Sequence, residues 1–397
     1  MESTLRQLPG SAPARRRRHV FPAIIAALCL SSPASTFART MIQVVDVPGL
    51  YAAVNDPANA GALIALAPGV YALDPAHPNA GRLELQVDMA LQGAPGNPER
   101  TVIDASALPA GSYSIPPIST GAIRVGRGSN AVEWLTVQGA RNGASAITTD
   151  LVAPGPTRVR IAHVLARDNV RGLDVRNIGP ASAGRVLEVD IVDNVFTGHV
   201  TGAGQGLRLI NSDASGASIL AALSGNRSYG NVAGCIAANI NTVGARIAIQ
   251  SFDDRFDGNG NGCVFLAGLS QPTAATLALG NTLTVEAHAG SFRDNNGSLP
   301  PAAPFPGGIL AVGGQSAGAP NRASGNILDI ELWGVTMGNN QGWDINAYGA
   351  LTAAAQPAGI GNAVTIALHG VSKQATESPT ASAPPEPAGT NTVDILR

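Results

Sequence analysis

"SYGNVAGCIA" (residues 228–237) and "FDGNGNGCVF" (residues 256–265) lie 28 residues apart and say nearly the same thing. Each has a glycine, an asparagine, two further residues, a second glycine, a cysteine and an apolar stretch. The phrase returns as "ARNGASAITT" (140–149), "ARDNVRGLDV" (166–175) and "TMGNNQGWDI" (336–345). In each, an Asn stands three residues before a Gly, with Ser145 in the Gly place of the first copy. The asparagines are Asn142, Asn169, Asn231, Asn259 and Asn339, with Asn295 of "FRDNNG" as a variant. In "FTGHVTGAGQGL" (196–207), His199 takes the Asn place between Asn169 and Asn231.

Periodicity of this kind decides a whole architecture before any local structure is assigned. Before each Asn lies a short alternating stretch, such as "RVLEVDIV", "ARIAIQSF" or "NILDIELW". A unit of about 28 residues therefore holds two or three strands and tight turns, with no window of helical apolar spacing. Parallel strands cannot be joined by two-residue hairpins. Coiling the chain about an axis resolves this, because each strand then stacks on its equivalent one turn earlier. The repeated Asn suits a corner, since it tolerates left-handed backbone and its amide can both donate to and accept from the Asn one coil away. Cys235 and Cys263 each follow their unit's Gly. They are predicted to be stacked neighbours, either as a disulfide or as two buried thiols.

The amino-terminal region adds to this. The stretch "VVDVPGLYAAVNDPANAGALIALAPGVYAL" (44–73) resembles the usual opening of right-handed parallel β-helix proteins, a short amphipathic helix with Leu50, Ala53 and Val54 inward and then a strand, and "RLELQVDMALQG" and "TVIDASAL" resemble their first coils. From Met41 to Ser372 the chain resembles the right-handed parallel β-helix proteins of the pectin-lyase-like superfamily. The resemblance implies an all-β fold: a right-handed parallel β-helix, or β-solenoid, of roughly ten coils with an N-terminal capping helix. It also implies polysaccharide as substrate or partner, through lyase, hydrolase, esterase or epimerase chemistry, or a non-catalytic role in adhesion or assembly. The activity motifs of the polygalacturonase-like members do not transfer. "GHV" at Gly198 and "DD" at Asp253 and Asp254 stand in reversed order, and the remaining motifs are absent. A lysine base is ruled out by position, because the single lysine, Lys373, lies in the tail. A uronate-directed lyase with an arginine base and calcium held by carboxylates is the activity left open.

Alternation after each corner Gly predicts the outward residues of one sheet. They pair as Ile147 and Thr149; Asp174 and Arg176; Arg208 and Ile210; Ile236 and Ala238; Val264 and Leu266; Leu310 and Val312; Asp344 and Asn346. Asp174, Arg176 and Arg208 form a polar cluster able to hold a uronate carboxylate or to work as a base beside a charge partner. The plainer reading is an ion pair across coils. His199, at a unit with an inserted loop, is a candidate acid or base, or simply another corner residue. Asp253, Asp254 and Asp257 are a candidate calcium site, Ca2+ being the one cofactor that their carboxylate and carbonyl oxygens suggest. Asp254 also aligns with Asn194 and Asn226, which suggests a second corner ladder. The few aromatic residues offer no evident row of sugar-stacking platforms.

Residues 1–38 read as a signal peptide: Arg15 to Arg18, then "FPAIIAALCL", then small residues up to Ala38. The run is too short to span a bilayer, which needs about 20 residues. Export to a periplasmic or extracellular space follows, with no transmembrane span in the mature protein. Removing residues 1–38 takes away five Arg and one Glu, moving the formal charge from −2 to −6. A mildly acidic chain argues against nucleic acid as a partner. Residues 39–372 read as a single β-helix domain, with 39–110 as the N-terminal cap and first coils. Residues 373–397, rich in Pro, Ser, Thr and Ala, read as a disordered tail.

Overall fold

The computed structural model describes residues 40–108, 120–141, 144–149, 155–201, 204–271, 276–295, 307–316, 322–352, 359–372, 377–382 and 391–397. Three long sheets of 12, 10 and 9 strands run through them. Their pairings are parallel and join each strand to its equivalent in the coils before and after. One coil can be followed from Val186–Val192 in the twelve-stranded sheet to Val195–Thr197 in the nine-stranded sheet and Gln205–Ser212 in the ten-stranded sheet. Ser218–Ser224 then returns to the twelve-stranded sheet beside its starting point. This is the all-β, right-handed parallel β-helix expected from the repeat. Among the described residues no helix is long and apolar enough to cross a membrane.

Alternation builds the interior. In Val186–Val192, Leu187, Val189 and Ile191 are buried, while Glu188 and Asp190 remain partly exposed. Leu187, Ile219, Ile247, Leu283, Leu328 and Val364 stack in register on six successive coils, all fully buried. Each contributes about 1.5–3 kcal/mol by leaving water. One continuous apolar core runs from Val44 to Leu368. At the amino end, the helix Val47–Val54 is capped by the Asp46 carboxylate, which accepts the Gly49 N–H at 2.7 Å. Leu50, Tyr51, Ala53 and Val54 are buried. The helix packs against the first strands, and the Tyr51 hydroxyl donates to the Gly81 carbonyl at 2.8 Å.

Amide ladders close the corners. In the first, Asn169, His199, Asn231, Asn259, Asn295 and Asn340 succeed one another, each backbone N–H donating to the side chain one coil on. Where the rung is Asn, its Nδ2–H reaches back to a carbonyl of the preceding coil, as Asn231 does to Phe196 at 3.0 Å. The left-handed residue is not the rung but the one before it: Asp168, Gly198, Gly230, Gly258, Asp294 and Asn339. This corrects the expected rung Asn339. In "GNN", Asn339 takes the left-handed corner at φ 55° and donates to Asp294 Oδ1, while Asn340 accepts from Asn295. The expected rung Asn142 lies outside the described residues, and in that coil the Ala140 amide donates to Asn169 Oδ1 at 2.8 Å. Three further ladders run through Asn194, Asn226 and Asp254; through Asn177, Asn211 and Asn239; and through Asn281, Asn326, Asn362 and Asn391.

The last of these ladders corrects the tail. Thr392–Leu396 forms a strand paired with Ala363–His369, and Val393 and Ile395 pack against the core. Asn391 accepts from Asn362 as the next rung. The signal was "TNTVDILR", which repeats the alternation of "GNILDIELW" and "GNAVTIALH". Glu377–Ser382 likewise pairs with Trp343–Thr352.

Candidate functional site

The outer face of the ten-stranded sheet carries the polar cluster. Thr148, Asp174, Arg208, Ile236, Val264, Leu310 and Asn346 follow one another in register, one per coil. Arg176, Ile210, Ala238, Leu266, Val312 and Tyr348 form the adjacent column. The expected outward residues slip at both ends. Ile147 belongs to the core and Thr148 holds the place beside Asp174. Asp344 is buried at a corner, where it accepts from Asn340 Nδ2 at 2.7 Å, so Asn346 and Tyr348 take the outer positions.

Asp174, Arg176 and Arg208 do come together, but not on an open surface. Asp174 is 0% exposed, and the two arginine side chains are 12% and 13% exposed. The Nε atoms of Arg176 and Arg208 each lie 3.0 Å from the same oxygen, Asp174 Oδ1. Neither contact has hydrogen-bond alignment, so these are ion pairs held by distance rather than direction. Arg171 adds to the positive field. Burial chiefly pushes its guanidinium pKa down, with Asp174 opposing and Arg176 reinforcing that shift. Ser145 Oγ is 3.4 Å from Asp174 Oδ2, and the Arg176 N–H donates to Thr149 Oγ1 at 2.7 Å. Toward the amino end the same outer column holds Arg124 and Glu84, paired at 3.0 Å.

Beyond Arg208 the face turns apolar. Ile210, Ala238, Val264, Leu266, Leu310, Val312, Tyr348 and Leu351 form a second hydrophobic cluster, every member no more than 8% exposed. The sheet thus has a core on each side in its carboxyl-terminal half. The proline-rich stretch "SLPPAAPFP" at 298–306 lies outside the described residues.

His199 is not presented to a substrate. It is fully buried as a rung of the first ladder, where Nδ1 lies 3.3 Å from the Asn169 amide nitrogen and 3.1 Å from its carbonyl oxygen. Burial pushes its imidazole down to about 4, and Nε2 has no hydrogen-bond partner. The three candidate calcium ligands diverge. Asp253 pairs with Arg255 at 3.7 Å on the surface, Asp254 points into its ladder, and Asp257 accepts from Ser291 Oγ and the Arg293 N–H. Among the described residues, no group of three or more His, Cys, Asp and Glu side chains is placed to hold a metal ion. Cys235 and Cys263 are stacked neighbours joined by a disulfide within the core.

The sequence concealed one alignment. Phe252, His288, Trp333 and His369 follow one another in register at the end of the twelve-stranded sheet. Trp333 and His369 stack at 3.7 Å, and His288 lies 6.1 Å from Trp333 with its plane nearly parallel. The rings share one position in units whose lengths differ, so only the strand register reveals the row. Because Trp333 and His369 stack face to face along the axis, they cover one another's faces.

No protein-family model matches the sequence, and no curated protein matches it. Among solved structures, the chain is similar to the A-module of the mannuronan C-5 epimerase AlgE4 from Azotobacter vinelandii. The match has 13% identity and a TM-score of 0.43, and covers 87% of this chain and 95% of that one. The A-module of AlgE6 from the same organism matches at 13% identity and TM-score 0.36, covering 85% and 95%. ORF18 of Geobacillus virus E2 matches at 11% and 0.34, covering 86% and 60%. These likenesses concern the fold.

Proposed function

We propose that this chain is an exported β-helix that holds an acidic polysaccharide, through carboxylate recognition by Arg176 and Arg208 on the ten-stranded sheet. The observation that carries this is the two-to-one pairing at Asp174. Two nearly buried guanidiniums share one oxygen of one carboxylate, out of hydrogen-bond alignment. Buried charge normally finds full and directed partners. A uronate carboxylate arriving at Arg176 and Arg208 supplies the second anion and the bidentate geometry that guanidinium favours. The polymer class comes from the resemblance read in the sequence; the charge requirement comes from the site.

Binding is favoured over cleavage. Asp174 is fully buried with both arginines on its Oδ1, and His199 is enclosed in a ladder. The disulfide suits the oxidising compartment to which residues 1–38 would direct the chain. The test is affinity electrophoresis of the mature protein in gels containing polygalacturonate, alginate or a neutral glucan, together with an ultraviolet assay for unsaturated products. The expected result is retardation by an acidic polymer, relieved by Arg208→Gln, with no product formed. Equal migration in every gel would overturn the binding reading, and product formation would restore the lyase.

A further inference from the structure

A different face of the solenoid has the shape of a binding site. On the outside of the nine-stranded sheet, Leu165 and Val195 form a floor flanked by Arg167, Thr197 and Tyr229, with the turn at Asn97–Glu99 standing along one side. The cleft encloses about 410 Å³ and is open to solvent. Its floor continues along the axis, because Val195 is in register with Arg227, and Arg227 with Arg255, while Arg167, Thr197 and Tyr229 form the parallel column. Successive rows are one strand spacing, about 4.8 Å, apart.

The chemistry of these columns is distinctive for this chain. Tyr229 is 47% exposed although it lines a cleft, leaving an aromatic ring half out of water. Arg167 is held by a hydrogen bond from its Nε to Gln138 Oε1 at 2.9 Å, which leaves the charge in place at the cleft wall. Arg227 is exposed in the next row. Against these cations the cleft sets one carboxylate, Glu99. Arg255, one row further, faces Asp253 at 3.7 Å.

We infer that this cleft is a second saccharide-binding site, which seats a segment of an acidic polysaccharide lying along the solenoid axis. An aromatic ring beside cations, in rows whose spacing is of the order of one sugar unit, meets both needs of a uronate: an apolar ring face to stack and a carboxylate to pair. An open groove with repeating rows accommodates a polymer, whereas a small molecule would be left mostly in water. The ligand class rests on the acidic-polysaccharide reading; the location rests on the cleft alone. With the polar cluster on the ten-stranded sheet, one chain would grip a polymer, or two polymers, at two faces.

The experiment titrates the mature protein with galacturonate and mannuronate hexamers, and with a neutral glucan hexamer, by calorimetry, for wild type, Tyr229→Ala, Arg167→Gln and Arg208→Gln. Tyr229 and Arg167 lie outside the core, so thermal denaturation should confirm that both variants stay folded. The expected result is binding of an acidic hexamer by wild type that weakens by at least about five-fold in Tyr229→Ala and in Arg167→Gln. Binding that is lost in Arg208→Gln and unchanged in the two cleft variants overturns the cleft while leaving the polysaccharide reading intact. Binding of no hexamer overturns both. Equal weakening for neutral and acidic hexamers overturns the assignment of an acidic ligand.

Discussion

Asp254 Oδ1 accepts two hydrogen bonds from Asn226, one from the backbone N–H at 2.8 Å and one from Nδ2–H at 2.7 Å. An acid thus ends a ladder of amides, with its other oxygen taken by Ser251 Oγ at 2.6 Å. The next coil has Gly290 in this place, where any Cβ would collide with the Asp254 carbonyl oxygen. Burial outweighs the four hydrogen bonds that oppose it, one with Ser251, two with Asn226 and one with the Phe252 backbone, and pushes the carboxyl up to about 6.

A native pKa above the ordinary value of 3.8 means that folding favours the protonated acid. Its contribution is fully present below about pH 3.8 and is lost as pH rises through about 6. The loss is of the order of 3 kcal/mol. Asp254→Asn keeps the acceptor and removes the titration. The variant should melt higher than wild type at pH 8, and the gap should close toward pH 4. Parallel melting curves across that range would refute the assignment.

His199 acts in the opposite sense. Its pKa is pushed down to about 4 from the ordinary 6.5, so the neutral ring is favoured in the fold. That contribution is present above about pH 6.5 and is lost as pH falls through about 4, again of the order of 3 kcal/mol. In His199→Asn the rung matches its neighbours Asn169 and Asn231 and cannot titrate. Acid unfolding followed by circular dichroism should shift to lower pH in this variant; an unmoved midpoint would mean that His199 does not govern acid stability.

The disulfide between Cys235 and Cys263 closes a 28-residue loop, one coil of the solenoid. In the chain-entropy model such a loop is worth roughly 3.5 kcal/mol. Both residues are at most 6% exposed and line a small apolar cavity with Phe256, Phe265 and Phe292. Reductant should therefore leave the folded protein oxidised, and the bond should yield only after denaturation. Cys235→Ala with Cys263→Ala should lower the denaturation midpoint by an amount near that estimate. Rapid thiol labelling of folded protein under mild reductant would contradict the burial.

The coil was legible because its corner residues are few in kind and recur at a fixed offset from an alternating strand. Registration failed where two asparagines stood together. Asn339 and Asn340 are equivalent by composition, and only the left-handed backbone at Asn339 separates them. The ladder through Asn281, Asn326 and Asn362 is marked in the sequence only by "GN" before each strand, without the second glycine that makes the first phrase recognisable. For the site, adjacency was readable and burial was not. Asp174, Arg176 and Arg208 were placed side by side by the repeat, but a strand's alternation says which way a side chain points, not whether anything covers it. The cleft beside Tyr229 was invisible for the complementary reason: its wall, Asn97–Glu99, is supplied by a coil far away in sequence.

Burial makes Asp174 an anchor of stability as well as part of the site. Removing it in Asp174→Ala strands Arg176 and Arg208 at 12% and 13% exposure without their shared counter-charge. Loss of one partner from a buried pair typically costs about 3–5 kcal/mol. The variant should therefore melt well below wild type, and any loss of binding it shows would confound folding with recognition. The sheet itself suggests the remedy, since two coils on from Asp174 the same columns hold Ile236 and Ala238 in place of charge. Replacing all three residues by that chemistry, as Asp174→Ile, Arg176→Ala and Arg208→Ile, exchanges a buried ion cluster for apolar contacts. Such exchanges are often neutral or stabilising. The triple variant should regain most of the stability lost in Asp174→Ala while binding no acidic polymer at this face. If it melts as low as Asp174→Ala, the ion cluster itself is required by the fold; if it binds as wild type does, Arg176 and Arg208 are not the recognition point.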